Sequence, residues 1–233
     1  LVTNKHLLPV YDRPMVYYPI QTLINAGISE VMIVTGGEFA GEFLRLLGNG
    51  RAFGLRDIHY TYQEGEGGIA EALSLCEYFA AGESVCVALG DNVIENNINR
   101  AAAIFRKGGE QGAMILLKEV SDAQRFGVAE IKDGKVTRII EKPKDPATNL
   151  AVTGFYMYDT RVFEYIRGLT RSTRGELEIT DVNNRYIAEG TMMYDHLEGW
   201  WTDAGTFPSL HRASNLVAQF GSCLLYTSDA ADE

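Results

Sequence analysis

The chain has 233 residues, of which 46% are hydrophobic and 22% are charged, a composition typical of an ordinary globular protein. No apolar stretch approaches the ~18 residues of a membrane-spanning helix. The formal net charge of −10 argues against a nucleic-acid binder, because such proteins carry a basic patch. We therefore expect a soluble protein that binds neither nucleic acid nor a membrane.

Cysteine usage indicates a reducing compartment. The chain contains Cys76, Cys86 and Cys223, an odd number without the paired spacing of a disulfide framework or a metal site. Cys76 and Cys86 fall in apolar segments, where a thiol behaves as a small core residue. We predict a cytoplasmic protein.

Helical and strand patterns alternate through the first part of the chain, as they do in βαβ units. The patterns predict helices over 14–26, with Pro14 in the first turn, over a stretch that ends near Leu47, and over 69–79. They predict strands over 31–35, 58–63 and 85–89. This order predicts an α/β fold with a mainly parallel central sheet flanked by helices.

Beyond Gly108 and Gly109 the patterns become rich in strands. Strands are predicted over 113–120, 128–131, 136–141, 151–158 and 192–197, with a hairpin turn at 132–135 and a helix over 176–188. We predict a single domain over 1–222 that has two parts, 1–110 and 111–222. Residues 223–233 are small and acidic without clear periodicity, which is typical of a tail that is non-native or disordered.

A polar group follows the predicted strand at 85–89, where Gly90, Asp91 and Asn92 stand in succession. In open α/β sheets ligands bind beyond the carboxyl ends of the strands, so Asp91 is placed to hold a metal or a phosphate. Gly, Asp and Asn are also the usual turn formers, and an ordinary surface turn explains them equally well. Other segments favour the ligand site.

Two segments of the first part suggest phosphate binding. Lys5 stands before a short apolar stretch and offers a point charge, although most single lysines are merely solvated. Gln63 ends a predicted strand, and the Gly-rich loop 64–68 leads from it into a helix. Such a loop brings backbone amides close to a ligand, but it is neither a P-loop nor a dinucleotide fingerprint and is weak evidence alone.

Three segments of the second part add charged candidates. Glu141 and Lys142 place an anion beside a cation at the end of a strand, which a charged edge strand also explains. Residues 174–181 gather Arg174 and three carboxylates around a helix start, where capping alone accounts for them. Asp203 follows two tryptophans and precedes a glycine, a composition unusual for a plain loop, and we take it as a second metal candidate.

Together these segments resemble the sugar nucleotidyltransferases that use glucose 1-phosphate, most closely the members that transfer thymidylate. The resemblance runs from about residue 3 to about residue 220 and rests on the motifs at 5–9, 12–19, 68–72, 89–92, 125–128, 141–143, 152–154, 174–181 and 203–206. It implies a Rossmann-like nucleotidyltransferase fold with a nucleotide-binding part at 1–110 and a strand-rich part for the sugar phosphate at 111–222. The implied reaction is nucleotidyl transfer from dTTP to glucose 1-phosphate with release of pyrophosphate, the first step of dTDP-rhamnose and deoxysugar synthesis.

The resemblance also implies roles for individual residues. The catalytic residues would be Lys5, Asp91, Lys142 and Asp203, with Asp91 and Asp203 holding the cofactor, Mg²⁺. The nucleotide-binding residues would be Lys5, Gln63, Gly68 and Asp91. The sugar-phosphate-binding residues would be Asn92, Gly127, Glu141, Lys142, Val152, Tyr156 and Arg174.

The chain departs from the family pattern at several points. Phe126 stands where many members have Tyr, and Thr202 where many have Leu, so the pocket edges differ. The Gly-rich loop that carries the family's catalytic Arg does not precede Lys5, and we expect an N-terminally truncated chain whose activity depends on that loop.

Three other functions remain open at this point. The first is uridylyl or cytidylyl transfer to glucose 1-phosphate, because few side chains separate thymine from uracil. The second is a non-catalytic subunit that binds a sugar nucleotide, and the third is a structural α/β domain. The resemblance further implies a homo-oligomer, often a tetramer, and feedback by a dTDP-sugar.

Overall fold

The computed structural model describes residues 3–222, so the tail expected at 223–233 lies outside the described residues. The strands are β1 (Pro9–Val10), β2 (Arg13–Pro14), β3 (Glu30–Thr35), β4 (Asp57–Tyr62), β5 (Val85–Ala88), β6 (Asn92–Ile94), β7 (Ala113–Glu119), β8 (Gly127–Lys132), β9 (Lys135–Glu141), β10 (Leu150–Tyr158), β11 (Met192–His196) and β12 (Trp201–Asp203). The α-helices are α1 (Tyr17–Asn25), α2 (Ala40–Leu47), α3 (Ile69–Ser74), α4 (Glu77–Ala80), α5 (Asn99–Lys107), α6 (Val162–Arg167), α7 (Ile179–Ala188) and α8 (Phe207–Phe220). Short 3₁₀ helices cover Lys5–Leu7, Arg51–Phe53 and Ala123–Arg125.

Strand β10 organises the largest sheet, which has six strands in the order β11-β7-β10-β8-β9, with β5 also paired to β10. Both β5 and β7 pair antiparallel with β10 and therefore run in the same direction, and β11 pairs parallel with β7. Strands β3 and β4 form a separate parallel pair. The α/β class is confirmed. Fewer strand pairs are parallel than predicted, because β10 runs antiparallel to its neighbours β5, β7 and β8.

The sequence of β10 explains its central position. Its residues from 151 to 158 are all buried, as expected of a strand covered on both faces. Its register against β7 shifts between Val152 and Tyr156. Gly154 lies in this irregular stretch, and a Cβ there would come within 2.5 Å of the Asn92 amide. The absence of a side chain at Gly154 lets Asn92 pack against the strand.

Strands β3 and β5 contribute apolar side chains to the same two hydrophobic clusters. On one face they share a hydrophobic cluster through Met32, Val34, Val85 and Val87. On the other face they share a second cluster through Ile33, Cys86 and Ala88, which also contains Leu23 of α1 and Phe43 of α2. Because both faces are covered, a ligand can reach this part of the fold at the ends of its strands, where Gln63 follows β4 and Asp91 follows β5.

Three predicted helix boundaries differ from the structure. The first helix starts at Tyr17, since Pro14 instead pairs with Pro9 in a short hairpin. The predicted helix over 69–79 is divided into α3 and α4. The predicted helix over 176–188 starts at Ile179, because Glu178 is extended with φ −81 and ψ 129.

Several elements were not predicted from the sequence: β1, β2, β6, α5, α6, β12 and α8. The β strands among them have two or three residues each, too few for a periodic pattern. Strands from both sides of residue 110 share the large sheet, and the boundary at that residue stays a prediction. None of the helices described between residues 3 and 222 is long and apolar enough to cross a membrane.

Candidate functional site

The two predicted metal ligands, Asp91 and Asp203, lie side by side. Strand β12 pairs antiparallel with β6 and places Asp203 opposite Asn92. The backbone N–H of Ala204 donates to the carbonyl oxygen of Asp91 at 2.8 Å, which ties the two loops together. A two-strand ladder thus joins carboxylates that are distant in the sequence.

Gly205 shows how closely the charged groups converge. A Cβ at Gly205 would lie 2.7 Å from Asp203 Oδ1, 3.2 Å from Asp91 Oδ2 and 3.3 Å from Lys5 Nζ. The two carboxylates and the ammonium therefore surround one small space that only a glycine leaves open. Among residues 3–222 no cluster of three or more His, Cys, Asp or Glu side chains could hold a metal ion. Asp91 and Asp203 give this space two carboxylates, and Mg²⁺ usually takes one or two carboxylates from a protein.

Lys5 is the third charged residue at this place, and we call Lys5, Asp91 and Asp203 around Gly205 the cradle. It begins a 3₁₀ turn that is capped by the Asn4 side chain, and its Nζ donates to Asp91 Oδ2 at 2.8 Å. The Lys5 side chain is 39% exposed and the Asp91 side chain 17%, so the pair is open to a ligand on one side. The imidazole of His6 lies next to it, with Nε2 4.0 Å from Asp91 Oδ2.

The surroundings of Asp91 and Asp203 shift the pKa values of the two carboxyl groups in opposite directions. Burial opposes the ionisation of Asp91, but the charge and hydrogen bond of Lys5 outweigh it and lower the pKa of this carboxyl. Burial, helped by the negative charge of Asp91, raises the pKa of Asp203. A second negative charge next to Asp91 is thus unfavourable, and a further positive charge at this place would offset it.

Asn92 is buried next to the cradle, and its side-chain amide forms hydrogen bonds with other groups of the protein. Its Oδ1 accepts from Trp201 Nε1 at 2.7 Å and from the Gly154 backbone N–H at 2.8 Å. Its Nδ2 donates to Asp91 Oδ1 at 3.1 Å. One N–H of Asn92 is left for a ligand, and its predicted contact with sugar stays a prediction.

A cavity of about 310 Å³ adjoins the cradle. It is lined by all the predicted site residues except three, namely by Asp91, Asn92, Gly127, Glu141, Lys142, Val152, Tyr156, Arg174 and Asp203. A larger cavity of about 590 Å³ lies next to it and shares Arg125, Phe126, Trp201 and Asp203. Chain segments from β5 to β12 therefore meet at one site.

The lining of the smaller cavity includes Glu141 and Lys142. Thr180 Oγ1 donates to Glu141 Oε2 at 2.7 Å, and Lys142 Nζ lies 3.7 Å from Glu141 Oε1. Lys142 adopts φ 44, a left-handed conformation that is rare outside glycine, and its N–H donates to the Phe126 carbonyl at 3.0 Å. Strained backbone of this kind clusters at functional sites.

The predicted sugar site also includes Arg174 and Tyr156, which line the same cavity. Arg174 Nη2 pairs with Glu178 Oε2 at 2.7 Å and lies 3.6 Å from Glu141 Oε1. Tyr156 is buried, and burial together with the charges of Glu141 and Asp91 raises its pKa, so its hydroxyl stays protonated. Arg174 supplies positive charge at the cavity and Tyr156 supplies a neutral polar group.

Gln63 and Gly68 lie apart from that cavity, at the Gly-rich loop after β4. Gln63 Nε2 donates to the Gly68 carbonyl oxygen at 3.2 Å. Gly68 has φ 92 and caps the start of α3. Their predicted contact with a base stays a prediction.

Sequence reasoning assigned no role to Thr180, Trp201 or Gly205, although each stands inside or beside a quoted motif. Thr180 holds Glu141, Trp201 holds Asn92, and Gly205 keeps the cradle open. The two adjacent tryptophans are the one local sequence signal of these contacts, because such a pair is unusual in a loop. Phe126, the residue that departs from the family, packs its ring on Trp201 with centroids 5.0 Å apart.

The fold is of the α/β class, and its charged side chains gather where strands β5 and β12 end. A model of the family described as nucleotidyl transferase matches residues 1–219. The chain belongs to this nucleotidyl transferase family, as the sequence motifs predicted.

Three relatives sharpen the comparison. Glucose-1-phosphate thymidylyltransferase from Neisseria meningitidis is 40% identical over 217 residues, which cover 92% of this chain and 75% of the relative. The enzyme of the same name from Xanthomonas campestris is 41% identical over 222 residues, with 92% and 73% covered. A crystal structure from Bacillus anthracis, solved with sucrose and provisionally given that name, has a TM-score of 0.88 and 47% identity and covers 94% of this chain and 88% of that one.

Proposed function

We propose that this chain transfers a thymidylyl group from dTTP to glucose 1-phosphate, giving dTDP-glucose and pyrophosphate. The observation that carries the proposal is that Asp91 and Asp203, which converge with Lys5 at Gly205, line one cavity together with Glu141 and Lys142. The names of the relatives support the choice of dTTP and glucose 1-phosphate as substrates.

The chemistry is an in-line displacement at the α-phosphorus of dTTP. An oxygen of the sugar phosphate forms the new P–O bond, while the bond between the α-phosphorus and the bridging oxygen breaks and pyrophosphate leaves. A phosphate monoester has a second pKa of about 6, so the nucleophile is already ionised at neutral pH and needs no general base. The protein must therefore position two anions and neutralise their charge.

Asp91 and Asp203 are the residues that would hold a divalent cation, and we propose Mg²⁺. Their oxygens face one small space, and hard carboxylate oxygens are the ligands that Mg²⁺ prefers. When bound, the cation supplies charge neutralisation to the phosphate oxygens.

Lys5 and Lys142 would each neutralise negative charge on a different phosphate group. Lys5 reaches the cradle from one side and would offset the charge of the departing pyrophosphate. Lys142 stands beside Glu141 and would align the phosphate of the sugar. The Glu141 carboxylate, held by Thr180, would accept hydrogen bonds from glucose hydroxyls. Gln63 and Gly68 would bind the thymine.

The test is pyrophosphate release in Mg²⁺ from glucose 1-phosphate with dTTP, UTP, CTP and ATP in parallel. It is run on this chain and on a form that carries the family's Gly-rich loop ahead of Leu1, with Asp203→Asn as the inactive control. Release that prefers dTTP supports the proposal, while a preference for UTP or CTP replaces the nucleotide. Silence from both forms together with tight binding of dTDP-glucose would instead identify a binding subunit.

Two further expectations accompany this function. A homo-oligomer, with four copies as the expected number, stays a prediction that light scattering tests directly. The cytoplasmic location, argued from the cysteines, also stays a prediction.

A further inference from the structure

The tryptophan indole beneath the cradle determines which way the Asn92 amide faces. Trp201 is 6% exposed and Asn92 is 3% exposed, although the two are 109 positions apart. The indole N–H can only donate, and it points at the same Asn92 atom as the Gly154 N–H. An atom approached by two donors must be the amide oxygen, so the NH₂ group is left on the opposite side.

That NH₂ group meets Asp91. Asn92 Nδ2 donates to Asp91 Oδ1 at 3.1 Å, while Lys5 Nζ donates to Asp91 Oδ2 at 2.8 Å. Both carboxylate oxygens thus have a donor, and the plane of the carboxylate is fixed. The Lys5-bound oxygen is the one that faces the cradle, 3.2 Å from the Cβ position of Gly205.

We propose that Trp201 is a positioning residue that acts through Asn92 to present Asp91 Oδ2 to a divalent cation. The inference rests on the proposed function, because it takes Asp91 to be a metal ligand. Trp201 touches no reacting group in this role: its N–H holds the Asn92 oxygen, and the Asn92 NH₂ holds the carboxylate. Groups that orient a metal ligand in this way typically contribute 10–100-fold to metal affinity or activity.

The neighbouring tryptophan provides a matched control. Trp200 Nε1 is buried and has no hydrogen-bond partner within residues 3–222. Trp200→Phe and Trp201→Phe therefore make the same chemical change at adjacent positions, but only Trp201→Phe removes a hydrogen bond that leads to Asp91. Phenylalanine keeps an aromatic ring at each site.

The experiment compares both variants with the unchanged chain by three measurements. Binding of Mn²⁺ alone is followed by electron paramagnetic resonance, the Mg²⁺ concentration for half-maximal pyrophosphate release is measured, and the thermal unfolding midpoint is recorded. We expect Trp201→Phe to weaken Mn²⁺ binding about 10-fold or more and to raise the Mg²⁺ requirement in parallel. Trp200→Phe should leave Mn²⁺ binding unchanged.

Asn92→Leu is a second variant in case Trp201→Phe unfolds. Leucine has a similar size but no amide, so the variant removes the hydrogen bond to Asp91 Oδ1 without adding charge, and it should weaken Mn²⁺ binding as well. If the unchanged chain binds Mn²⁺ and the folded variants bind it equally well, the inference is overturned and the proposed function stands. If the unchanged chain binds no Mn²⁺, the proposed metal site fails and the inference fails with it.

Discussion

Leu177 donates its backbone N–H to the carbonyl oxygen of Gly67 at 2.8 Å and accepts at its own carbonyl from the N–H of Ala70 at 3.3 Å. Leu177 belongs to the segment that carries Arg174 at the cavity, whereas Gly67 belongs to the Gly-rich loop that follows Gln63. The loop proposed to bind the base is thus attached to the loop that borders the cavity proposed for the sugar phosphate.

Gly68→Ala should disturb this attachment. Gly68 has φ 92, and an added Cβ would lie 2.6 Å from the carbonyl oxygen of Leu177, a backbone atom that cannot turn aside. We expect a loss of about 1–3 kcal/mol in the free energy of unfolding and a raised KM for dTTP, measured by chemical denaturation and by pyrophosphate release.

Gly65→Ala is the control for that variant. Gly65 also has positive φ, 70, but a Cβ there meets nothing within 4 Å. Gly65→Ala therefore carries the conformational penalty without the collision. Equal effects of the two variants would contradict a role for the contact with Leu177.

Asp91→Asn should abolish turnover while it leaves the fold largely intact. The variant keeps the shape of the side chain but removes the charge that pairs with Lys5 and would bind the cation. We expect pyrophosphate release to fall by about 100-fold or more. Asp57→Asn, at a half-exposed carboxylate on β4, is the control with the same chemical change. Near-normal rates for Asp91→Asn in Mg²⁺ would exclude its metal role.

Lys142→Met should weaken the use of glucose 1-phosphate. The ammonium at the cavity wall is removed while the length of the side chain is kept, so we expect kcat/KM for the sugar phosphate to fall by about 100-fold. Lys144 lies two residues away and is exposed, and Lys144→Met should have no effect. A fall that appears only in the KM for dTTP would mean that Lys142 acts on the nucleotide instead.

Asp159→Asn should destabilise the fold without touching the site. The Asp159 carboxylate is buried and accepts from the Gly112 N–H at 2.6 Å, from Tyr186 Oη at 2.8 Å and from the Arg161 guanidinium at 2.7 Å. Removing the charge weakens the bonds from the Gly112 and Tyr186 donors, while Arg161 is 36% exposed and keeps Glu189 at 3.0 Å, so we expect a loss of about 1–3 kcal/mol. Urea denaturation at neutral pH measures it, with the exposed Asp145→Asn as control.

The difference between the unchanged chain and Asp159→Asn should depend on pH. Burial opposes the ionisation of Asp159, but the hydrogen bonds from Arg161, Gly112 and Tyr186 outweigh it and lower the pKa of this carboxyl. A lowered pKa stabilises the folded state above the unfolded value of about 3.9 and ceases to do so as the pH falls through the folded value. The difference in unfolding free energy should therefore shrink in acid, and a constant difference would contradict the assignment.

Asp91 and the polarity of the strand ends could be predicted from the sequence, because a buried strand that stops at a glycine leaves a local pattern. The partners of Asn92 could not be predicted. Its amide is held by Trp201, Gly154 and Asp91, and this arrangement depends on a register shift in β10 and on the two short strands β6 and β12. Each of these features is set by contacts between distant segments, and no local periodicity records them.

The left-handed backbone at Lys142 joins local strain to a side chain that lines the cavity. A residue with a Cβ pays for φ 44, whereas glycine adopts this conformation freely. Lys142→Gly should therefore relieve the strain and keep the N–H that donates to Phe126, while it removes the ammonium from the cavity. The backbone stability and the positive charge of the cavity cannot both be at their highest at this residue.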